Sequence, residues 1–144
     1  MIFILKKAVI LYGSPKKNGN TKKLVEKLVC FLSNEYDFFL FDAYKDQVKP
    51  CYDCGLCKEE NFCYFFDLDD LFQKIKESDL IILASPIYNM GFPAPLKAVL
   101  DRFQIYYNFK FRKEDKSAIS KEKRAIAILV QGSKNSEYSD FLVK

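Results

Sequence analysis

A parallel α/β sheet with helices on both faces is the fold class that this 144-residue sequence predicts. Three observations predict it. Short apolar runs alternate with stretches of helical periodicity. The runs are apolar at consecutive positions, as strands buried on both faces are. The length and composition, 49% hydrophobic and 29% charged, suit one globular domain over residues 1–144. Right-handed crossovers leave few topologies for such a chain.

Residues 8–12 (Ala-Val-Ile-Leu-Tyr) read as the first buried strand, and 13–20 as a polar Gly/Pro/Asn loop. From Thr21, Leu24, Val25, Leu28, Val29 and Leu32 recur at helical spacing, opposite Lys22, Lys23, Glu26 and Lys27. Cys30 falls on the apolar side of that helix and is expected in the core. A second strand is expected over 36–41, an irregular cysteine-bearing segment over 49–66, and a helix from Asp67 to about Glu77, its early acids suiting the dipole. Residues 80–84 (Leu-Ile-Ile-Leu-Ala) predict a third strand, 85–93 a loop, and 95–103 a helix with proline in its first turn. A charged connection leads to a fourth strand over 125–130, a loop at Gly132 and Ser133, and a tail over 136–144 that starts a helix. In open parallel sheets ligands bind beyond the carboxyl ends of the strands, so the loops after Tyr12, Ala84 and Val130 are where function is sought.

Composition narrows the chemistry. The net charge of +4 is spread along the chain, and its densest basic stretch, 110–124, is interleaved with acids, so no nucleic-acid partner is expected. No apolar run approaches the roughly 18 residues that cross a bilayer, and the first residues lack the pattern of a secretory signal. A cytoplasmic protein without a membrane partner is the expectation. There is no histidine, which excludes a Ser-His-Asp triad, a Cys-His pair and any His-containing zinc site.

The first loop, Gly13-Ser-Pro-Lys-Lys-Asn-Gly-Asn-Thr21, lies between a strand and a helix. Its glycines let backbone amides turn inward, Ser14, Asn18, Asn20 and Thr21 supply neutral donors, and the following helix aims free N–H groups at the same point. A phosphate cradle is one reading; an ordinary polar loop with an Asn or Thr cap is the other. Gly13 and Gly19 are one residue too far apart for a Walker loop, Asn20 stands where its lysine would be, and the dinucleotide glycine pattern is absent.

Gly-Ser-Pro-x-x-x-Gly-Asn-Thr after the first strand resembles the signature of the NADPH-dependent FMN reductase and multimeric flavodoxin family. Ser85-Pro86-Ile87-Tyr88-Asn89, followed by Pro95-Leu96-Lys97 and Asp101-Arg102-Phe103, is similar to that family's second block. The resemblance spans about residues 8–132. It implies a flavodoxin-like three-layer αβα fold that binds FMN. Ser14, Lys16, Asn18, Asn20 and Thr21 would hold the phosphate; Pro86, Ile87, Tyr88, Asn89 and Met90 would line the flavin ring, with Gly132 a further contact. Tyr88 has a rival reading as a core tyrosine, and Asp101-Arg102 reads as an ion pair or interface group. The flavin does such chemistry without a side-chain acid or base, so no catalytic residue is assigned.

Four of the five cysteines form Cys51-x2-Cys54-x2-Cys57-x5-Cys63. An odd total without a secretory signal argues against a disulfide scaffold. Four close thiols on one loop can converge on a metal centre, and tetrathiolate binding suits zinc or an iron–sulfur cluster; reduced structural or redox thiols are the other possibility. The run resembles that of the iron–sulfur flavoproteins, a branch of the same family, which implies a [4Fe–4S] cluster on the loop after the second strand, near the flavin.

The family's sheet has five strands in the order 2-1-3-4-5, whereas this sequence offers four. A C-terminally short chain, or an edge completed by a partner in a homo-oligomer, is therefore expected. Two functions follow from the resemblance. One is an FMN oxidoreductase, with NAD(P)H as transient donor and a quinone, flavin or other small molecule as acceptor. The other is an iron–sulfur electron carrier fed by ferredoxin.

Overall fold

The structure, a computed structural model, describes residues 4–60, 62–112, 119 and 121–132. Four parallel strands, β1 (Lys6–Tyr12), β2 (Tyr36–Asp42), β3 (Leu80–Pro86) and β4 (Arg124–Val130), pair in the order β2-β1-β3-β4. Tyr12 stands opposite Asp42 on one side and Ala84 on the other, while Pro86 stands opposite Val130. The strands therefore end together, and the loops that follow them share one rim of the sheet. This is the flavodoxin-like α/β architecture.

Alternation along β1 divides the core into two layers. Val9 and Leu11 point to one face, against α3 (Asp69–Glu77), α4 (Ala94–Asp101) and α5 (Gln104–Arg112), through Leu71, Phe72, Ile75, Leu96, Val99 and Ile105. Ala8, Ile10 and Tyr12 point to the other, against Val25, Leu28, Val29 and Leu32 of α1 (Asn20–Leu32). The side chains nearest the centre are almost fully excluded from water, with Ile82, Ala84, Leu96 and Val99 at 0% exposure. At roughly 1.5–3 kcal/mol for each fully buried aliphatic side chain, these two layers carry the stability of the fold.

Several elements differ from the sequence expectation. The helix expected from Asp67 begins at Asp69, and Asp67 is drawn instead into an ion pair with Arg102. α5 was not anticipated. Its aromatic residues do not form one apolar stripe, and it is fixed by tertiary packing: Tyr106 meets Phe72 and Phe103 edge to face, at centroid separations of 5.5 and 5.6 Å. A four-residue helix, α2 (Leu56–Glu59), sits inside the cysteine loop behind Gly55, whose φ of 80° needs glycine. Cys30 is exposed, contrary to the expected core position: the buried stripe of α1 runs through Thr21 and Val25, and residue 30 has rotated past it. β4 sends Ile126 and Ile128 into the α1 layer while Ala125 and Ala127 are exposed, so it is less covered than its apolar composition indicates. The tail over 136–144 lies outside the described residues. Among the described residues no helix is long and apolar enough to cross a membrane.

Candidate functional site

The loop after β1 is shaped by close packing. The Gly13 amide donates to the Ala84 carbonyl of β3 at 2.9 Å. α4 lies so near that a Cβ on Gly13 would stand 2.5 Å from Leu96 Cδ2 and 2.8 Å from Leu96 Cβ, so a glycine is required there. Ser14 and Thr21 are buried, whereas Lys16, Asn18 and Asn20 are exposed. Ser14 Oγ accepts from the Lys16 amide at 3.4 Å, and Tyr12 donates its hydroxyl to the Lys16 carbonyl at 3.4 Å. Both bonds are long and follow the curve that the glycines allow.

The start of α1 is unusual for a helix that stabilises itself. Gly19 occupies the N-cap without a side-chain cap bond, and the first turn holds no acidic residue. Asn20, Thr21 and Lys22 thus present first-turn amides with no intrahelical acceptor. Lys22 and Lys23 add positive charge at the positive end of the dipole, an arrangement that costs stability unless an anion sits there. The Asn or Thr cap that the ordinary-loop reading called for is not made. The chemistry of this loop fits a phosphate.

The loop after β3 is a tight hairpin turn rather than a wandering polar loop. The Ile87 amide donates to the Val130 carbonyl of β4 at 2.9 Å, and Tyr88 and Gly91 exchange two backbone bonds of 2.9 Å. Asn89 and Met90 between them have φ of 49° and 61°. Two left-handed residues make a primed turn; asparagine tolerates that conformation, but methionine holds it under strain. Pro86 and Ser85 are buried beneath, while Tyr88 and Met90 are 40% and 60% exposed. Tyr88 is therefore a rim residue and not a core tyrosine. Gly132, exposed just beyond β4, has no neighbour within 4 Å of an added Cβ, so packing makes no demand for glycine there.

Tyr44, just past β2, was missed in the sequence. It joins Tyr12, Ser14 and Pro15 in lining a cleft of about 460 Å³ beside the first loop. Burial, and then the nearby Tyr88, push its hydroxyl above the usual tyrosine value. The legible signal was its position: an aromatic just after a strand that ends on the binding rim.

The cysteine loop leaves the same rim after β2 and folds back onto the α4–α5 layer. Cys57 and Cys63 are half-buried against that core, whereas Cys51 and Cys54 are exposed; none is in a disulfide. Asn108 Nδ2 of α5 donates to Cys57 Sγ at 3.1 Å, and Arg102 Nε donates to Cys63 Sγ at 3.1 Å. Arg102 is 1% exposed and also donates to the Lys49 and Phe65 carbonyls, at 2.9 and 2.7 Å, and to Asp67 Oδ1 at 2.8 Å. Asp67 Oδ2 accepts from the Lys49 amide at 2.9 Å. Partial burial acts to raise the Asp67 carboxyl, but the bonds from Arg102 and Lys49 outweigh it and hold the group below the usual carboxylate value. Burial, and then Cys54, push the Tyr52 hydroxyl up. Asp101 pairs with Lys97 one turn back, so Asp101 and Arg102 are structural, as expected.

Among the described residues no three Cys, Asp or Glu side chains are gathered as a single metal ion requires. Mononuclear zinc, which draws four ligands to about 2.0–2.3 Å, does not fit this arrangement. The four cysteines are not gathered as a tetrathiolate cluster requires either; two of their sulfurs, on Cys57 and Cys63, accept N–H bonds from Asn108 and Arg102.

A β2-β1-β3-β4 parallel sheet, with a phosphate-suited loop after β1 and a strained hairpin after β3, defines a flavodoxin-like protein. The model of the NADPH-dependent FMN reductase family matches residues 6–137, and the chain belongs to that family. It is 39% identical over 98 residues to an iron–sulfur flavoprotein of Methanocaldococcus jannaschii, a match covering 67% of this chain and 51% of the relative. An iron–sulfur flavoprotein of Methanosarcina thermophila is 32% identical over 136 residues, covering 85% and 62% of the two chains. These matches thus span about half to three fifths of the relatives' length. Among solved structures, an NAD(P)H:quinone oxidoreductase from Methanothermobacter marburgensis superposes with a TM-score of 0.65 at 12% identity, covering 96% of this chain and 93% of that one. An FMN-dependent NADH-azoreductase from Bacillus anthracis, in complex with FMN, gives 0.68 at 16% identity, covering 93% and 74%. At such identities these two likenesses speak to the fold alone.

Proposed function

We propose that the chain is an FMN-dependent oxidoreductase that takes electrons from NAD(P)H and passes them to a small-molecule acceptor such as a quinone or flavin. The observation that carries this reading is the start of α1, a helix end with no cap and no acid inside a loop that glycine packing keeps open. Ser14, Lys16, Asn18, Asn20 and Thr21 bind the phosphate. Pro86, Ile87, Tyr88, Asn89 and Met90 orient the flavin ring, with Gly132 at the far edge of the rim. When bound, FMN supplies hydride acceptance and electron delivery. The protein contributes position, an apolar wall and backbone N–H groups.

Asn20→Glu is the test. The new carboxylate sits at the positive end of α1, where it adds roughly 0.3–1 kcal/mol to stability, while repelling the phosphate. Thermal melting should be unchanged or raised and FMN retention lost; retention at the original level contradicts the reading.

A second reading has its own support in the N–H···S bonds to Cys57 and Cys63 and in relatives named iron–sulfur flavoproteins. Here Cys51, Cys54, Cys57 and Cys63 ligate a [4Fe–4S] cluster, and a protein donor such as ferredoxin feeds electrons through it to FMN. Anaerobic protein with stoichiometric iron and sulfide, in which Cys57→Ser loses iron but keeps FMN, supports this reading. Iron-free protein that oxidises NAD(P)H rapidly contradicts it.

A further inference from the structure

The cleft of about 460 Å³ beside the first loop is a site in its own right. Of the residues placed around FMN, only Ser14 borders it; its other walls come from the start of α1 and from the turn after β2. Three lysines, Lys17, Lys22 and Lys45, line it against a single carboxylate, Asp42. That carboxylate is already engaged. Its Oδ1 accepts from the Tyr44 amide at 3.1 Å and its Oδ2 stands 3.9 Å from Lys45 Nζ, with 16% of the side chain exposed. Lys17 forms no ion pair with a described residue. Lys22 meets Glu26 at 3.7 Å across an exposed helical turn, a contact of little weight. Three lysines less one carboxylate leave two positive charges on the walls, which suit a phosphate monoester dianion.

The same cleft offers an aromatic surface. Tyr12 is buried and its hydroxyl is committed to the Lys16 carbonyl, so it serves as wall. Tyr44 is 37% exposed, and such a ring stacks on a flat heterocycle whatever the base. An aromatic ring beside a cluster of lysines, in a volume ordinary for a small-molecule pocket, describes a site for a nucleotide fragment. Both candidate electron donors carry adenosine, and they differ only at its 2′ hydroxyl, which is phosphorylated in NADPH and bare in NADH.

Resting on the oxidoreductase reading above, we propose that this cleft holds the adenosine 2′-phosphate of NADPH, with Lys17 and Lys45 selecting it over NADH and Tyr44 stacking on the adenine common to both. Lys22 adds charge from the first turn of α1. The two roles are separable, because the lysines act on the one group that distinguishes the nucleotides and the tyrosine acts on a group they share.

The test uses the full chain loaded with FMN. Calorimetric titration with NADP+ and NAD+, which do not reduce the flavin, reads binding without turnover; initial rates with NADPH and NADH read the KM of each. The parent should bind NADP+ about tenfold more tightly than NAD+, as charge-assisted bonds to one phosphate allow. Lys17→Gln combined with Lys45→Gln should abolish that preference and raise the KM for NADPH, while the KM for NADH and the FMN content stay unchanged. Tyr44→Ala should weaken both nucleotides alike and keep the preference. A merely structural role for these side chains would not separate the two nucleotides. Parent protein that retains no FMN overturns the oxidoreductase reading and the proposal together. FMN-loaded parent that binds NADP+ and NAD+ equally, or a double lysine variant that keeps the preference, overturns the proposal alone.

Discussion

The loop over residues 13–21 and the loop over 49–67 leave the same rim, but opposite means give them shape. The first is set by missing side chains: Gly13 lets Leu96 approach, and Gly19 lets Lys16 fold over it, since a Cβ at Gly19 would lie 2.9 Å from Lys16 Cβ. What remains is backbone, with amides left for an anion. The second is set by a side chain, since one buried arginine ties its two ends and touches one of its sulfurs. A loop held by sterics should respond to added volume and ignore pH. A loop held by a buried ion pair should respond to lost charge and to acid.

Arg102→Ala should give the largest effect that separates them. Removing one partner of a buried pair costs about 3–5 kcal/mol, at the lower end here because Asp67 is a quarter exposed. Urea denaturation reads it, and a loss below about 1 kcal/mol would mean that the clasp is ornamental. Gly13→Ala should cost about 1–3 kcal/mol by overpacking against Leu96 and should also weaken FMN binding, as flavin fluorescence reports. Loss of stability with full FMN affinity would detach the loop's packing from its binding.

Of the two loops, the cysteine loop is the one on which acid should act. The Asp67 carboxyl is held below its ordinary value of 3.8, so its contribution is fully present above that pH. It is lost as pH falls below 3.8 through the depressed folded value, because the unfolded state then takes up the proton first. Stability measured from pH 6 to pH 2.5 should fall less steeply in Asp67→Asn than in the parent. Parallel curves would show that the pair carries no pH dependence. The smallest effect is expected at Cys30→Ser, within about 0.5 kcal/mol on an exposed helix face; a larger cost would restore the core role that the sequence pattern implied.

The same contrast explains what was legible in the sequence. Strands buried on both faces leave unbroken apolar runs, so β1 and β3 and the parallel sheet could be read directly. The glycines and neutral donors of the first loop are local, and local chemistry shows in local sequence. The clasp is not local: Arg102 acts on Lys49, Cys63, Phe65 and Asp67, residues 35 to 53 positions away, and nothing in the Asp-Arg-Phe triplet announces those partners. α5 escaped for a similar reason, its aromatics being sorted by Phe72 and Phe103 and not by helical period. The hairpin at 88–91 escaped because Met90 in a left-handed conformation goes against its own preference. Strain of that kind marks a site and hides it from propensity.

The most direct measurement compares FMN with riboflavin, which carries the same ring without the phosphate, by titration of flavin fluorescence against the purified protein. Two or more charge-assisted bonds from the 13–21 loop, at about 1.5–3 kcal/mol each, predict that FMN binds at least ~100-fold more tightly than riboflavin. Equal affinity for the two, or fluorescence of FMN left unquenched at every protein concentration, would contradict the account.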